Sequence, residues 1–378
     1  MGDSENSIYQ TALTFIADIS LNLTAVKVTE HTDDFLGWCN KLHQICKQEI
    51  NMDLIEDKQL PILKKLQDTL ETGISLTQLK MLRIAPWPIF ANIIEDLNAL
   101  QSIDERLALL KHINTIKAQP LTEMVEEDLL AFAGKHSVKH DPSIYNFDVE
   151  WFASTKAANS FHAMLKAQPQ DFQQALEFIP LEGDVTALHY QAFVAQYKNI
   201  FNLNDEKAPL MPATRLLAMR RPDVFIALTN QKLSVLCQGL NIAKFNNQDF
   251  DAYFNDMIHA LSTFAWHRAP APTVENELVL WQNRVALVDV FLFADDLQAQ
   301  KSNYIRLRDK PKSTKVGVAR SPKAGMRTKE SAEMLVDKAL SGEDIPEYLL
   351  EMRSTLVNSV KDGKTVEQAI GLMRTIFG

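Results

Sequence analysis

The sequence predicts a mainly α protein: a multi-helix array with one short strand or small sheet near 223–228, a flexible basic linker and a small C-terminal helical module. Three observations carry that prediction. Apolar side chains recur at three- and four-residue steps along the first 298 residues. Only 12 of 378 residues are glycine, too few for a turn-dense all-β fold or for glycine-rich phosphate loops. Between Lys301 and Glu330 the composition turns to Lys, Arg, Pro, Gly and Ser, with few large apolar side chains to offset the entropy of ordering. The expected boundaries are an N-terminal helical domain over 1–135, a central mainly helical domain over 136–298, the linker over 299–330 and the C-terminal module over 331–378.

The elements follow in order. Ala12, Phe15, Ile16 and Ile19 share one face of a helix within 6–27, and Phe35, Trp38, Cys39, Leu42 and Ile45 repeat the pattern over 34–50. "SLTQ" at 75–78 and "SIDE" at 102–105 fit the capping box, so each is expected to start a helix. Ile93, Leu97 and Leu100, then Leu107, Leu110 and Ile113, suit packed antiparallel helices. "QPLTEMVEEDLLAFAG" reads as a helix with acids in its first turns, stopped by Gly134. "FDVEW" is expected to open the next helix, with Trp151, Phe152, Ala157, Phe161 and Leu165 along it. In "TRLLAMRR" the apolar face is Leu216, Leu217 and Met219, Arg220 and Arg221 lie in the last turn, and Pro222 terminates it. "VFIAL" then reads as the short buried strand, Asn230 as the cap of the following helix, and Gly239 as its stop.

Composition bounds the function. Apolar content of 46% and charged content of 23% are those of a soluble globular chain, and no run of about 18 apolar residues suggests a membrane span. The opening "MGDSENS" reads as neither a signal nor a transit peptide. Three cysteines (Cys39, Cys46 and Cys237) suit buried thiols in a reducing compartment, so a cytoplasmic location is expected. The net charge of −9 is unevenly distributed. Ten basic residues face only Asp309 and Glu330 between Lys301 and Glu330, so this strap carries +8 and the rest of the chain −17. A basic strap of this kind is either a phosphate-binding arm or a solubilising tether.

No catalytic motif in the chain is complete. "DGKT" at 362–365 has Asn358 where a phosphate loop requires glycine, and "AGKHS" lacks the upstream glycine too, so neither wraps a phosphate with backbone amides. No G-x-S-x-G elbow or C-x-x-C pair occurs. His136 and His140 stand four apart near Asp141, Asp148 and Glu150, but Asp141-Pro142 disfavours a helix there and no third ligand has motif spacing; a polar loop is the preferred reading. Asp223, a buried run and Lys232 resemble part of a metal-dependent nuclease core, yet the second acid is replaced by Asn230. No catalytic residue, metal site or cofactor is therefore assigned.

The order "IPLEGDVT…YQAFVAQYKNIF", "ATRLLAMRRPDVFIALTNQKLSVLCQGLNI" and "LWQNRVALVDVFLF" resembles an uncharacterised bacterial family associated with mobile elements and phage defence, over residues 179–295. Members often carry a Trp pair where this chain has Trp266-His267. The resemblance implies a component of such a system without implying a reaction. On this footing the expected function is a non-catalytic DNA-associated subunit, with an adaptor subunit or an atypical metal-dependent nuclease as alternatives. The expected partners are DNA and a protein supplying ATPase or nuclease activity. The nucleic-acid-binding residues are taken as Arg215, Arg221, Lys232 and Arg284 around the short strand, with Lys310, Lys312, Lys315, Arg320 and Lys323 on the strap. The competing reading of the same corner is structural, with Arg221–Asp223 or Arg284–Asp289 as internal salt bridges.

Overall fold

Helix α1 (Asp3–Ile19) and helix α2 (Phe35–Gln44) lie against the first half of α3 (Leu60–Ile84). The predicted periodicity is what they bury: Ala12, Ile19, Phe35, Trp38, Cys39 and Leu42 close on Leu63, Leu66, Leu70 and Ile74. Each such aliphatic side chain contributes about 1.5–3 kcal/mol by leaving water. Asp34 caps α2 by accepting from Gly37 N at 2.8 Å, and α2 runs on as a π turn, Ile45–Glu49. Burial pushes the Cys39 and Cys46 thiols up to about 12, which makes them inert packing groups. This computed structural model describes residues 2–19, 34–137, 139, 141, 144, 152–294, 332–340, 349, 352–361, 366 and 368–370, and the chain divides into two compact units, Met1–Lys310 and Pro311–Gly378.

At 25 residues α3 is about 37 Å long. Its second half places Leu79 and Leu82 in a second core that extends to Leu292. The helix start expected at "SLTQ" is therefore corrected: Ser75 lies inside α3. Its Oγ donates to Glu71 O at 2.8 Å, and Thr77 Oγ1 donates to Gly73 O at 2.9 Å, so both hydroxyls back-bond within the helix instead of capping one.

After α4 (Trp87–Asp96) and α5 (Asn98–Gln101), α6 (Ile103–Ile116) starts where "SIDE" predicts, by a different device. Ser102 sits in the left-handed region at φ 49° and makes no side-chain cap; Asn98 Oδ1 accepts from Ile103 N and Asp104 N instead. Helix α7 (Glu126–Ala133) stops at Gly134, whose φ of +86° is the left-handed C-terminal turn glycine permits. The next helix, α8 (Asn159–Ala167), begins later than "FDVEW" suggests; Phe152 and Ala153 are in a turn and 145–151 lie outside the described residues. Then come α9 (Pro169–Glu177), α10 (Ala187–Asn202) and α11 (Leu210–Arg220). A true capping box, Thr186 with His189, opens α10.

The strand expected at 223–228 does not form, and among the described residues there is no strand. Arg221 to Val224 turn, with Val224 N and Phe225 N both donating to Arg221 O. Phe225, Ile226, Ala227 and Leu228 then run buried with side chains as hydrogen-bond partners: Leu228 N donates to Thr214 Oγ1 at 3.0 Å, and Tyr253 Oη donates to Ile226 O at 2.8 Å. Buried backbone groups need partners, and a hydroxyl serves where no second strand is present.

Helix α12 (Asn230–Leu240) is capped by Thr229, which accepts from Lys232 N, so Asn230 is its first residue. It ends at Asn241 in the left-handed region at φ 59°, not at Gly239. Gly239 is there because α12 crosses α3 closely: a Cβ would lie 2.4 Å from Leu79 Cδ1. The unit closes with α13 (Phe250–Ala252), a π turn (Tyr253–Ile258), α14 (His259–Thr263), α15 (Ala265–Arg268), α16 (Glu275–Gln282) and a 3-10 turn (Ala286–Phe291).

In the second unit, α17 (Ala332–Leu340) packs on α18 (Arg353–Lys361), burying Val336, Leu349, Leu356, Val357 and Ala369. Arg353 Nη2 donates to Asp337 at 2.7 Å. Among the described residues no helix is long and apolar enough to cross a membrane.

Candidate functional site

The four body residues expected to form one cationic surface have separate destinations. Arg215 is fully buried on α11, one of the largest side chains with no exposure. Its Nε donates to Phe132 O at 3.2 Å, Nη1 to Phe152 O at 2.9 Å and Nη2 to Ala131 O at 2.7 Å. This corrects its assignment to a nucleic-acid surface. The guanidinium ties the end of α7 and the 152–153 turn to α11, supplying donors to carbonyls that a helix end leaves open. Arg220 does similar work, with Nε on Ile179 O and Nη1 on Lys117 O.

Lys232 is also engaged. Its ammonium donates to Asp289 Oδ1, whose other oxygen accepts from Arg106 Nη1 at 3.0 Å. Asp289 is 3% exposed and Arg106 is 5% exposed, so this pair sits within the core, and the half-buried Lys232 reaches it from the surface. Burial alone would raise the Asp289 pKa, but the Lys232 and Arg106 charges outweigh it and hold the carboxyl below its usual value. Asp289 therefore pairs with Arg106 and Lys232, where the sequence suggested Arg284. The nuclease-like pair is separated in the same way: Asp223 serves Arg221 while Lys232 serves Asp289.

Arg221 and Arg284 meet in a cleft of about 1350 Å³ between α6, the 181–187 loop, the 221–224 turn and α16. Arg221 gives Nε and Nη2 to the two oxygens of Asp223, both at 2.8 Å, a side-on fork. Its remaining bonds go to Pro180 O and Gly183 O at 2.9 Å, which fixes the loop. Arg284 stacks over the Trp281 ring at 4.2 Å and donates Nη1 to Trp281 O at 2.7 Å; its buried Nε has no acceptor. Burial lowers the Arg284 pKa, and Asp223 opposes that shift. Lys117, half-buried in the same cleft, is lowered mainly by burial, with Asp223 opposing. His267, at the cleft wall, is lowered to about 4 by burial and the Arg284 charge, so it is neutral at pH 7.

No protein-family model, curated protein or solved structure matches this chain.

Lys310, Lys312, Lys315, Arg320 and Lys323 lie outside the described residues, as do His140, Asp148 and Glu150 of the histidine segment. Trp266 is fully buried, stacks on Phe90 at a ring separation of 4.6 Å and donates Nε1 to Leu82 O. The Trp266-His267 pair thus splits between core and cleft. Sequence reasoning overlooked Lys117, Arg106 and Trp281. Only Trp281 carried a local signal, standing three residues before Arg284, which lies in the turn after α16.

Proposed function

We propose that the chain is a non-catalytic, cytoplasmic, DNA-associated subunit of a bacterial anti-phage defence or mobile-element system, and that a protein partner supplies the ATPase or nuclease chemistry. The observation that supports this reading is the separation of charge, +8 within Lys301–Glu330 against −17 on the rest of the chain. The body strengthens the case for the strap by elimination. Arg215 and Arg221 have their guanidinium donors on internal oxygens, Lys232 is paired with Asp289 and Arg284 is almost wholly buried, which favours Lys310, Lys312, Lys315, Arg320 and Lys323 for phosphate contact. An acidic body repels a polyanion, and a basic strap provides the attachment.

Binding of the full chain to duplex DNA at several salt concentrations tests this. Five phosphate contacts give log K a slope of about −4.5 against log salt. Replacing the five strap residues with Ser should flatten that slope, while Arg221→Gln should leave it unchanged. An unchanged slope in the strap variant, or no binding at low salt, refutes DNA association. The adaptor reading then takes its place, favoured by one specific observation: the arginine corner serves as an internal strut, which leaves the acidic helical half free to dock a protein.

A further inference from the structure

The cleft at Arg284 is more than a gap between helices. Arg221 is neutralised there by Asp223, yet no carboxylate pairs with Arg284 or Lys117 among the described residues. Arg284 is 7% exposed. A guanidinium so enclosed, with an N–H facing no acceptor, is a standing cost that an incoming acceptor removes. The edge left over is the chemically informative part. Arg221 shows in the same cleft that the Nε edge of a guanidinium holds two carboxylate oxygens.

The rim decides the size and charge of what can enter. Asp104, Glu182, Asp184 and Glu275 line the cleft and are all exposed, against one exposed cation, Lys111, so the rim is net acidic while Arg221, Arg284 and Lys117 are more enclosed. A polyanion meets four carboxylates before it reaches Arg284, and a dianion meets twice the repulsion of a monoanion. Val224, Phe254, Ile258 and Val279 add an apolar wall. A few polar anchors against an apolar lining are the usual composition of a small-molecule site.

We propose that this cleft binds a small organic monocarboxylate, its carboxylate at the Arg284 guanidinium in a field to which Lys117 of the same cleft adds, and its hydrocarbon body along the Val224–Ile258 wall. This stands apart from DNA association, and loss of DNA binding leaves it intact.

Calorimetric titration of the full chain at pH 7 with octanoate, octanamide and inorganic phosphate tests the site. Octanoate should bind at least about tenfold more tightly than the uncharged octanamide, and phosphate more weakly than octanoate. Arg284→Lys keeps the charge and removes the fork, and should weaken octanoate roughly ten- to a hundredfold. Lys117→Gln alters a half-buried side chain that holds no helix together, and should weaken octanoate severalfold even if the Arg284 variant fails to fold. The proposal is overturned if octanoate does not bind below about 1 mM, if octanamide or phosphate binds as tightly, or if Lys117→Gln and a folded Arg284→Lys both bind octanoate like the parent chain.

Discussion

Arg215 offers the sharpest test of the structural reading of the arginine corner. Replacing it with Met preserves much of the side-chain volume and removes every donor. The Phe132 and Phe152 carbonyls then lose their Arg215 partners within the core, while Ala131 O keeps a donor in Gly134 N at 3.3 Å. Each hydrogen bond lost to a buried carbonyl costs about 1–3 kcal/mol, and relief of the buried guanidinium's desolvation returns part of this. The net loss is therefore on the order of 3–4 kcal/mol. For a unit of this size about 2 °C accompanies each kcal/mol, so the midpoint of thermal unfolding should fall by roughly 6–8 °C. Arg215→Lys should fall between the two, because an ammonium reaches fewer of three carbonyls than a planar fork does. Circular dichroism melts and urea midpoints of the three proteins measure this directly. A shift within about 1 °C for Arg215→Met would refute the strut, and a loss of DNA affinity at unchanged stability would restore Arg215 to a binding surface.

Three further outcomes are expected. Gly239→Ala forces a Cβ to within 2.4 Å of Leu79 Cδ1 and 2.6 Å of Leu79 Cβ and should cost about 1–3 kcal/mol in urea unfolding; a loss under about 0.5 kcal/mol would sink the close-crossing account. Asp289→Asn removes the buried carboxylate that Arg106 and the half-buried Lys232 share and should cost about 3–5 kcal/mol, whereas a change under about 0.5 kcal/mol would mean the triad is dispensable. His162 and His267 are both lowered to about 4 in the folded chain against an ordinary 6.5. Between those values the unfolded chain binds protons the folded one does not, so the contribution of these two rings should lower stability on acidification from about pH 6.5 to 4 and change no further below. Replacing both with Asn should make urea midpoints less steep across that window, and identical slopes would contradict the burial of these rings.

The predominance of helix was readable from the sequence because amphipathic periodicity is a local property. Phe35, Trp38, Cys39 and Leu42 declare their shared face within eight positions, and they pack as that spacing requires. Gly134 was readable for a similar reason, since a left-handed turn after an apolar helix is a backbone demand met by one residue. Arg221–Asp223 was readable as a pair because a single residue separates them.

Other signals were ambiguous until the chain was folded. "SLTQ" has the letters of a capping box, but Leu70, Ile74 and Leu79 continue the buried stripe through it and turn its hydroxyls inward. "VFIAL" has the composition of a buried strand; extended backbone is all that composition specifies, and whether a ladder forms depends on what lies alongside. Here Thr214 and Tyr253 lie alongside, so side-chain hydroxyls meet the backbone needs. The destinations of the charges depended most on tertiary structure. Asp289 finds Arg106 from 183 positions away and Lys232 from 57, and Arg215 reaches carbonyls more than 60 positions back. Sequence alone determined which segments coil and where charge is concentrated, since both follow from neighbouring residues. Tertiary structure alone decided which cations are struts and which face the cleft, because a buried charge takes whichever distant oxygen the packing of helices brings within 3 Å.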